Sequence, residues 1–93
     1  MIGDFKEAFY VMVFRSTMDT ISTEKKLSQK FNTLIIPTPR EISKSCGFAI
    51  RFYGTDESEL IYASEQIDVP HVLYLLGSRS NGKRNITIIE SLE

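Results

Sequence analysis

Apolar residues fall along this chain in five short runs, with two stretches of helical periodicity between them. The first run, FYVMVF at residues 9–14, is continuous and β-prone, as expected for a strand buried on both faces. After RSTMDT the period changes. Ser16 or Thr17 suits an N-cap, and Asp19 stands in the first turn, where the helix dipole favours an acid. The spacing predicts a helix from Met18 to Phe31 with an inner stripe of Thr20, Ile21, Glu24, Leu27, Ser28 and Phe31. TLIIP at 33–37 reads as a second strand, stopped by Pro37 and Pro39, which lack a backbone N–H. A polar loop, 38–47, leads into a third strand, FAIRFY at 48–53, with Phe48, Ile50 and Phe52 on one face and Ala49, Arg51 and Tyr53 on the other. Gly54 ends it. TDESELIYASEQID predicts a second helix, capped by Thr55 or Asp56, with Asp56 and Glu59 at capping-box spacing and Leu60, Ile61, Ser64 and Ile67 turned inward. HVLYLL (71–76) and ITIIESL (86–92) are the last two strands, and Asn81-Gly82 between them is a hairpin signal.

That order, β-α-β-β-α-β plus a terminal strand, belongs to the α+β class. At this length it folds most naturally as a ferredoxin-like sandwich, two helices on one face of an antiparallel sheet. Another small α+β sheet with the same element order is the alternative. The chain reads as a single domain, 1–93, with a core over 8–76 and a C-terminal hairpin-and-strand extension over 77–93.

Composition narrows the chemistry. The hydrophobic fraction of 42% supports one compact core, and a net charge of -1 gives no basic field for nucleic acid. No apolar run approaches the ~18 residues that cross a bilayer. The start, MIGDFKEAFYVMVF, carries acids ahead of its apolar run and no cleavage-like small-residue site, so no leader is expected. One cysteine cannot form an internal disulfide, which points to a reducing compartment, the cytoplasm. One Cys and one His, His71, cannot supply a protein-only zinc site. With no Gly-rich phosphate loop and no nucleophile elbow either, no metal or cofactor is expected.

Cys46 is then the strongest nucleophile available. It stands in TPREISKSCG, after Ser43, Lys44 and Ser45 and directly ahead of Gly47, between Arg40 and Arg51. Loop tips held by a rigid sheet are common sites for reactive groups. Glu24 is the other oddity, an acid near the middle of the helix stripe. Either it snorkels to water at a sheet edge or it is paired, with Arg40 first and the backbone N–H groups of the 38–47 loop next as expected partners.

The stretches PTPREISKSCGFAIRF (37–52) and VFRSTMDTISTEKKL (13–27) resemble the small bacterial selenium/sulfur carrier protein-like family. Phe14, Ser16, Thr17, Glu24, Leu27, Pro37, Thr38, Pro39, Arg40, Ser43, Ser45, Cys46, Gly47, Ala49, Arg51 and Phe52 stand where that pattern wants them, and the likeness covers residues 9 to 76. The C-terminal basic turn and strand depart from it.

The resemblance implies that Cys46 holds a persulfide or selenide and passes it from a donor protein to an acceptor protein. Only a thiolate attacks sulfur or selenium. Arg40, Lys44 and Arg51 would favour the anion, with Arg40 the better placed. Ser43, Ser45 and the Gly47 N–H would donate to it, and Gly47 would admit a bulky sulfur close to the backbone. Two other readings remain open. One is a non-enzymatic interaction module with a structural cysteine, pairing with itself as a homodimer or with a partner enzyme. The other is a thiol redox sensor. Plainer roles are open for single residues too. Arg40 caps loop carbonyls, Arg51 pairs with Glu24 or Glu41, and His71 merely starts a strand. Arg79, Lys83 and Arg84 form a solvated hairpin tip, and Tyr53, Tyr62 and Tyr74 pack.

Overall fold

The computed structural model describes residues 7–43, 47–78 and 83–92. Its elements are β1 (Phe9–Phe14), α1 (Thr17–Leu27), β2 (Asn32–Pro37), β3 (Phe48–Tyr53), α2 (Glu57–Glu65), β4 (His71–Leu76) and β5 (Ile86–Leu92). This is an α+β fold with one five-stranded sheet in the order β2-β3-β1-β4-β5, every neighbouring pair antiparallel.

Strand alternation separates two apolar layers. Met12, Phe14, Ile50, Phe52 and Leu73 point to one face, where Leu27 of α1 and Leu60 of α2 cover them. Val11, Ala49 and Leu76 point to the other, packed by Phe9, Val13, Ile36, Tyr74 and, from the 38–47 loop, Ile42. Val11 and Met12 are both fully buried, so β1 is indeed covered on both faces. Its central place in the sheet accounts for the unbroken apolar run.

The helices differ from expectation in phase and length. Ser16 caps α1, its Oγ accepting the Asp19 amide at 3.0 Å. The residues α1 buries are Thr20, Thr23 and Leu27, whereas Ile21 is 45% exposed and Ser28 follows the helix as an exposed cap. Polar buried positions disguised this face. Thr20 turns its hydroxyl onto the Ser16 carbonyl at 3.0 Å, which lets a polar residue lie inward. The helix closes at Leu27, and residues 28–31 form a turn in which the Lys30 and Phe31 amides donate to the Leu27 carbonyl. Asp56 precedes α2 but makes no side-chain cap. Thr55 instead bonds back to the Tyr53 carbonyl, and Tyr10 donates to Glu57 at 2.8 Å across the helix start.

β2 ends at Pro37 as expected, opposite Phe48. One further expectation changes. Arg84 is no solvated tip residue. It is buried, its Nη1 donating to the carbonyls of Glu7 (2.8 Å) and Gly77 (2.7 Å), with its guanidinium 4.9 Å from the Phe9 ring. A guanidinium with several donors can enter a loop whose carbonyls would otherwise lack partners. Lys83 is exposed, while Arg79 and the Asn81-Gly82 pair lie outside the described residues.

Candidate functional site

The 38–47 loop grows out of the β2–β3 ladder. Thr38 N–H donates to the Gly47 carbonyl at 3.0 Å, one rung beyond the Pro37–Phe48 pair. Inside that rung the chain turns tightly, with the amides of Ile42 and Ser43 both donating to the Pro39 carbonyl at 3.0 and 3.1 Å. Ile42 packs into the helix-free apolar layer. The Pro-Thr-Pro segment thus sets up the turn, and an apolar anchor fastens it to the sheet. Arg40 is exposed on this turn. Lys44, Ser45 and Cys46 lie outside the described residues, immediately ahead of Gly47. Among the described residues, a Cβ placed on Gly47 would meet Thr38 Oγ1 alone, at an ordinary 3.5 Å.

Arg51 lies on the opposite face from Ile50 and Phe52, as alternation required, but it is held away from the loop. Its guanidinium carbon sits 4.0 Å from the Phe9 ring centroid and 4.7 Å from that of Tyr53. Phe9 and Tyr53 lie beyond the Tyr10–Phe52 pair, at the end of the sheet far from Gly47. Two aromatic faces attract the cation and fix its direction. Its Nε is buried with no hydrogen-bond partner among the described residues.

Glu24 is paired, and among the described residues its partner is neither Arg40 nor the loop. The Thr33 hydroxyl donates to its Oε2 at 2.7 Å. A short polar side chain at the start of the neighbouring strand lies nearer than a long one from the loop, so the acid joins α1 to β2.

Sequence reading missed a buried polar pair and a groove. His71 and Ser64 are both 3% exposed; His71 Nε2 lies 2.7 Å from Ser64 Oγ and Nδ1 lies 2.7 Å from the Val69 carbonyl. The carbonyl can only accept, so Nδ1 donates to it, and in the neutral ring Nε2 accepts from the serine hydroxyl. The Ser64–His71 spacing across a Pro70 turn was the available signal. The groove, about 650 Å³, runs between α1 and α2 and is lined by Thr23, Leu27, Phe31, Tyr62, Ala63 and Ile67, among others. It lies across the sheet from Ile42 and so belongs to a different face from the loop. Tyr62, expected to pack, is 64% exposed on its rim.

Among the described residues no group of three His, Cys, Asp or Glu could hold a metal ion, and no helix is long and apolar enough to cross a membrane. Comparison with curated proteins and with solved structures finds no match. A family model described as "Putative Se/S carrier protein-like" matches residues 9–71, from β1 through the loop to the first residue of β4. The span takes in the whole Cys-centred motif, and the chain belongs to the Se/S carrier protein-like family.

Proposed function

We propose that this protein holds sulfur or selenium on Cys46 and delivers it to an acceptor protein. The observation that carries the reading is the family match, which encloses Pro37, Thr38, Pro39, Arg40, Ser43, Ser45, Cys46 and Gly47 in one continuous motif. The geometry on either side supports it. The Thr38–Gly47 rung, the turn on the Pro39 carbonyl and the Ile42 anchor give the loop a fixed base, which suits a group presented to partners. We read the sheet and its two helices as a ferredoxin-like sandwich with β5 added beside β4, and the protein as a bacterial, cytoplasmic one.

In this reading the Cys46 thiolate attacks the terminal sulfur of a donor persulfide. A new S–S bond forms on Cys46, the donor's S–S bond breaks, and the donor leaves as a thiolate. Delivery reverses the roles. An acceptor nucleophile takes the terminal sulfur and Cys46 departs as thiolate, with no net oxidation. Selenium follows the same course through a selenosulfide. Arg40 and Lys44 are the cations we assign to the thiolate, with Ser43, Ser45 and the Gly47 N–H as donors to it. Arg51, drawn to Phe9 and Tyr53, is assigned to the fold. A lone cysteine suits storage, because no neighbouring thiol in the chain collapses the persulfide to a disulfide.

The test is intact mass after incubation with a persulfide-generating desulfurase. Wild type gains the mass of one sulfur, reversed by reductant, and Cys46→Ala gains none. An unchanged wild-type mass overturns the carrier reading. It would favour the second one, a non-enzymatic interaction module, for which the supporting observation is the outer edge of β2, paired by no described residue.

A further inference from the structure

We infer that the outer edge of β2 is a self-association surface, pairing antiparallel with β2 of a second copy about Ile35. In an antiparallel ladder, directly opposed residues alternate between exchanging hydrogen bonds and exchanging none. Thr38 and Gly47 stand opposite each other one rung past Pro37 and Phe48, and the Thr38 N–H donates to the Gly47 carbonyl. Ile36, Leu34 and Asn32 therefore also direct their backbone groups toward β3. Thr33, Ile35 and Pro37 direct theirs outward. Pro37, with no N–H to offer, occupies an outward position, the one place in a strand where proline costs the ladder nothing.

β2 is the last strand on its side of the sheet, and no described residue pairs with its outer edge. Its outward groups match their own reversed copy. With Ile35 on the two-fold axis, each Ile35 N–H meets the Ile35 carbonyl of the partner subunit, and each Thr33 N–H meets the carbonyl of the partner's Pro37. The missing proline N–H leaves one carbonyl per chain, that of Thr33, to water. Side chains follow the same symmetry. Leu34, 51% exposed on the helix-free face, falls opposite the partner's Ile36, and the reverse pair repeats it across the axis.

One usual protection of an edge is present, Pro37, and in the dimer it removes one backbone bond per chain. Two others are missing, since NTLIIP carries no charge and its register against β3 is regular throughout. The opposite edge has both devices, since β5 contains Glu90 and its pairing with β4 shifts register between Leu73 and Tyr74. Two β5 edges, or a β2 edge with a β5 edge, match less well, and the latter would not close into a dimer. In the β2 dimer the two 38–47 loops leave from opposite ends of the junction. Their Pro37 residues lie roughly 13 Å apart along the strands, so both loops stay open to other proteins.

The experiment is the mass of the full-length chain in solution, by sedimentation equilibrium in the presence of reductant, so that no Cys46-linked species is counted. Wild type is expected at twice the chain mass. Leu34→Lys, and Leu34→Glu as a second variant of opposite charge, should raise the dissociation constant about tenfold or more, with an unchanged far-UV circular dichroism spectrum. Ile88→Lys, 62% exposed on β5, should leave the dimer intact. A wild type that is monomeric at every concentration overturns the inference. So does a dimer insensitive to both Leu34 variants, or one that Ile88→Lys dissociates. None of these outcomes depends on whether Cys46 carries sulfur.

Discussion

The Thr33 hydroxyl donates to Glu24 Oε2 at 2.7 Å, joining the middle of α1 to the beginning of β2. Both side chains are partly buried, so each would lose a partner that water only incompletely replaces. Glu24→Gln and Thr33→Val should each destabilise the fold. The double-mutant cycle in urea should return a coupling of about 1 kcal/mol. Strictly additive effects would mean that the contact adds nothing.

Arg40 and Arg51 should separate by readout. Arg40→Gln should slow Cys46 alkylation near neutral pH and move its profile toward the ~8.5 of a free thiol, with little change in stability. Arg51→Gln should do the reverse, because its contacts are the Phe9 and Tyr53 rings. Loss of those contacts should cost about 1 kcal/mol in denaturant unfolding. Were Arg51→Gln alone to shift the alkylation profile, the roles assigned here would be exchanged.

The Tyr10 phenol is pushed up to about 12, first by burial and then by the Glu57 carboxylate that accepts its hydrogen bond. An unfolded chain ionises its tyrosines near ~10. Below that pH both states are protonated and the difference has no effect. Between the two values only the unfolded state has lost the proton, so stability should fall as pH rises through this window. Tyrosinate absorbance should show a late-titrating component near pH 12. It should vanish in Tyr10→Phe and move down in Glu57→Gln. A wild-type titration in which every tyrosine has its midpoint near the ~10 of a free phenol would contradict the Tyr10–Glu57 geometry.

Ser64→Ala should be unusually costly for so small a change. It leaves His71 Nε2 facing a buried space without its donor, a loss of roughly 1–3 kcal/mol. Ser64→Thr keeps the hydroxyl and should recover part of the stability if the added methyl fits. Cys46 alkylation should be unaffected in both, since the pair lies on the helix face of the sheet.

The strands were legible because their apolar runs are short, dense and bounded by turn residues. β1, β3, β4 and β5 fall at the expected positions, and β2 begins one residue early, at Asn32. The helix faces were harder to read. α1 buries threonines, so a hydrophobicity pattern places Ile21 inward and overlooks Thr23. The partner of Glu24 was hidden for a related reason. A carboxylate in a helix stripe announces a need for a donor, but only the strand order shows that Thr33 is the nearest one. The motif around Cys46 was plain in the sequence, whereas the pull of Phe9 on Arg51 and Arg84 was not. Phe9 lies 42 and 75 positions away from them along the chain.

The central position of β1 gives the molecule a mechanical polarity. β1 is bonded along both edges, to β3 and to β4, and Arg84 ties the backbone of Glu7 just ahead of it to Gly77. A machine that pulls from the N-terminal side of β1 must shear two ladders at once before anything yields. A pull on the C-terminal side of β5 meets a single ladder at the rim of the sheet and can peel it one rung at a time. An ATP-driven unfoldase engaging tags at the two ends should therefore consume the protein at different rates, faster from the β5 side.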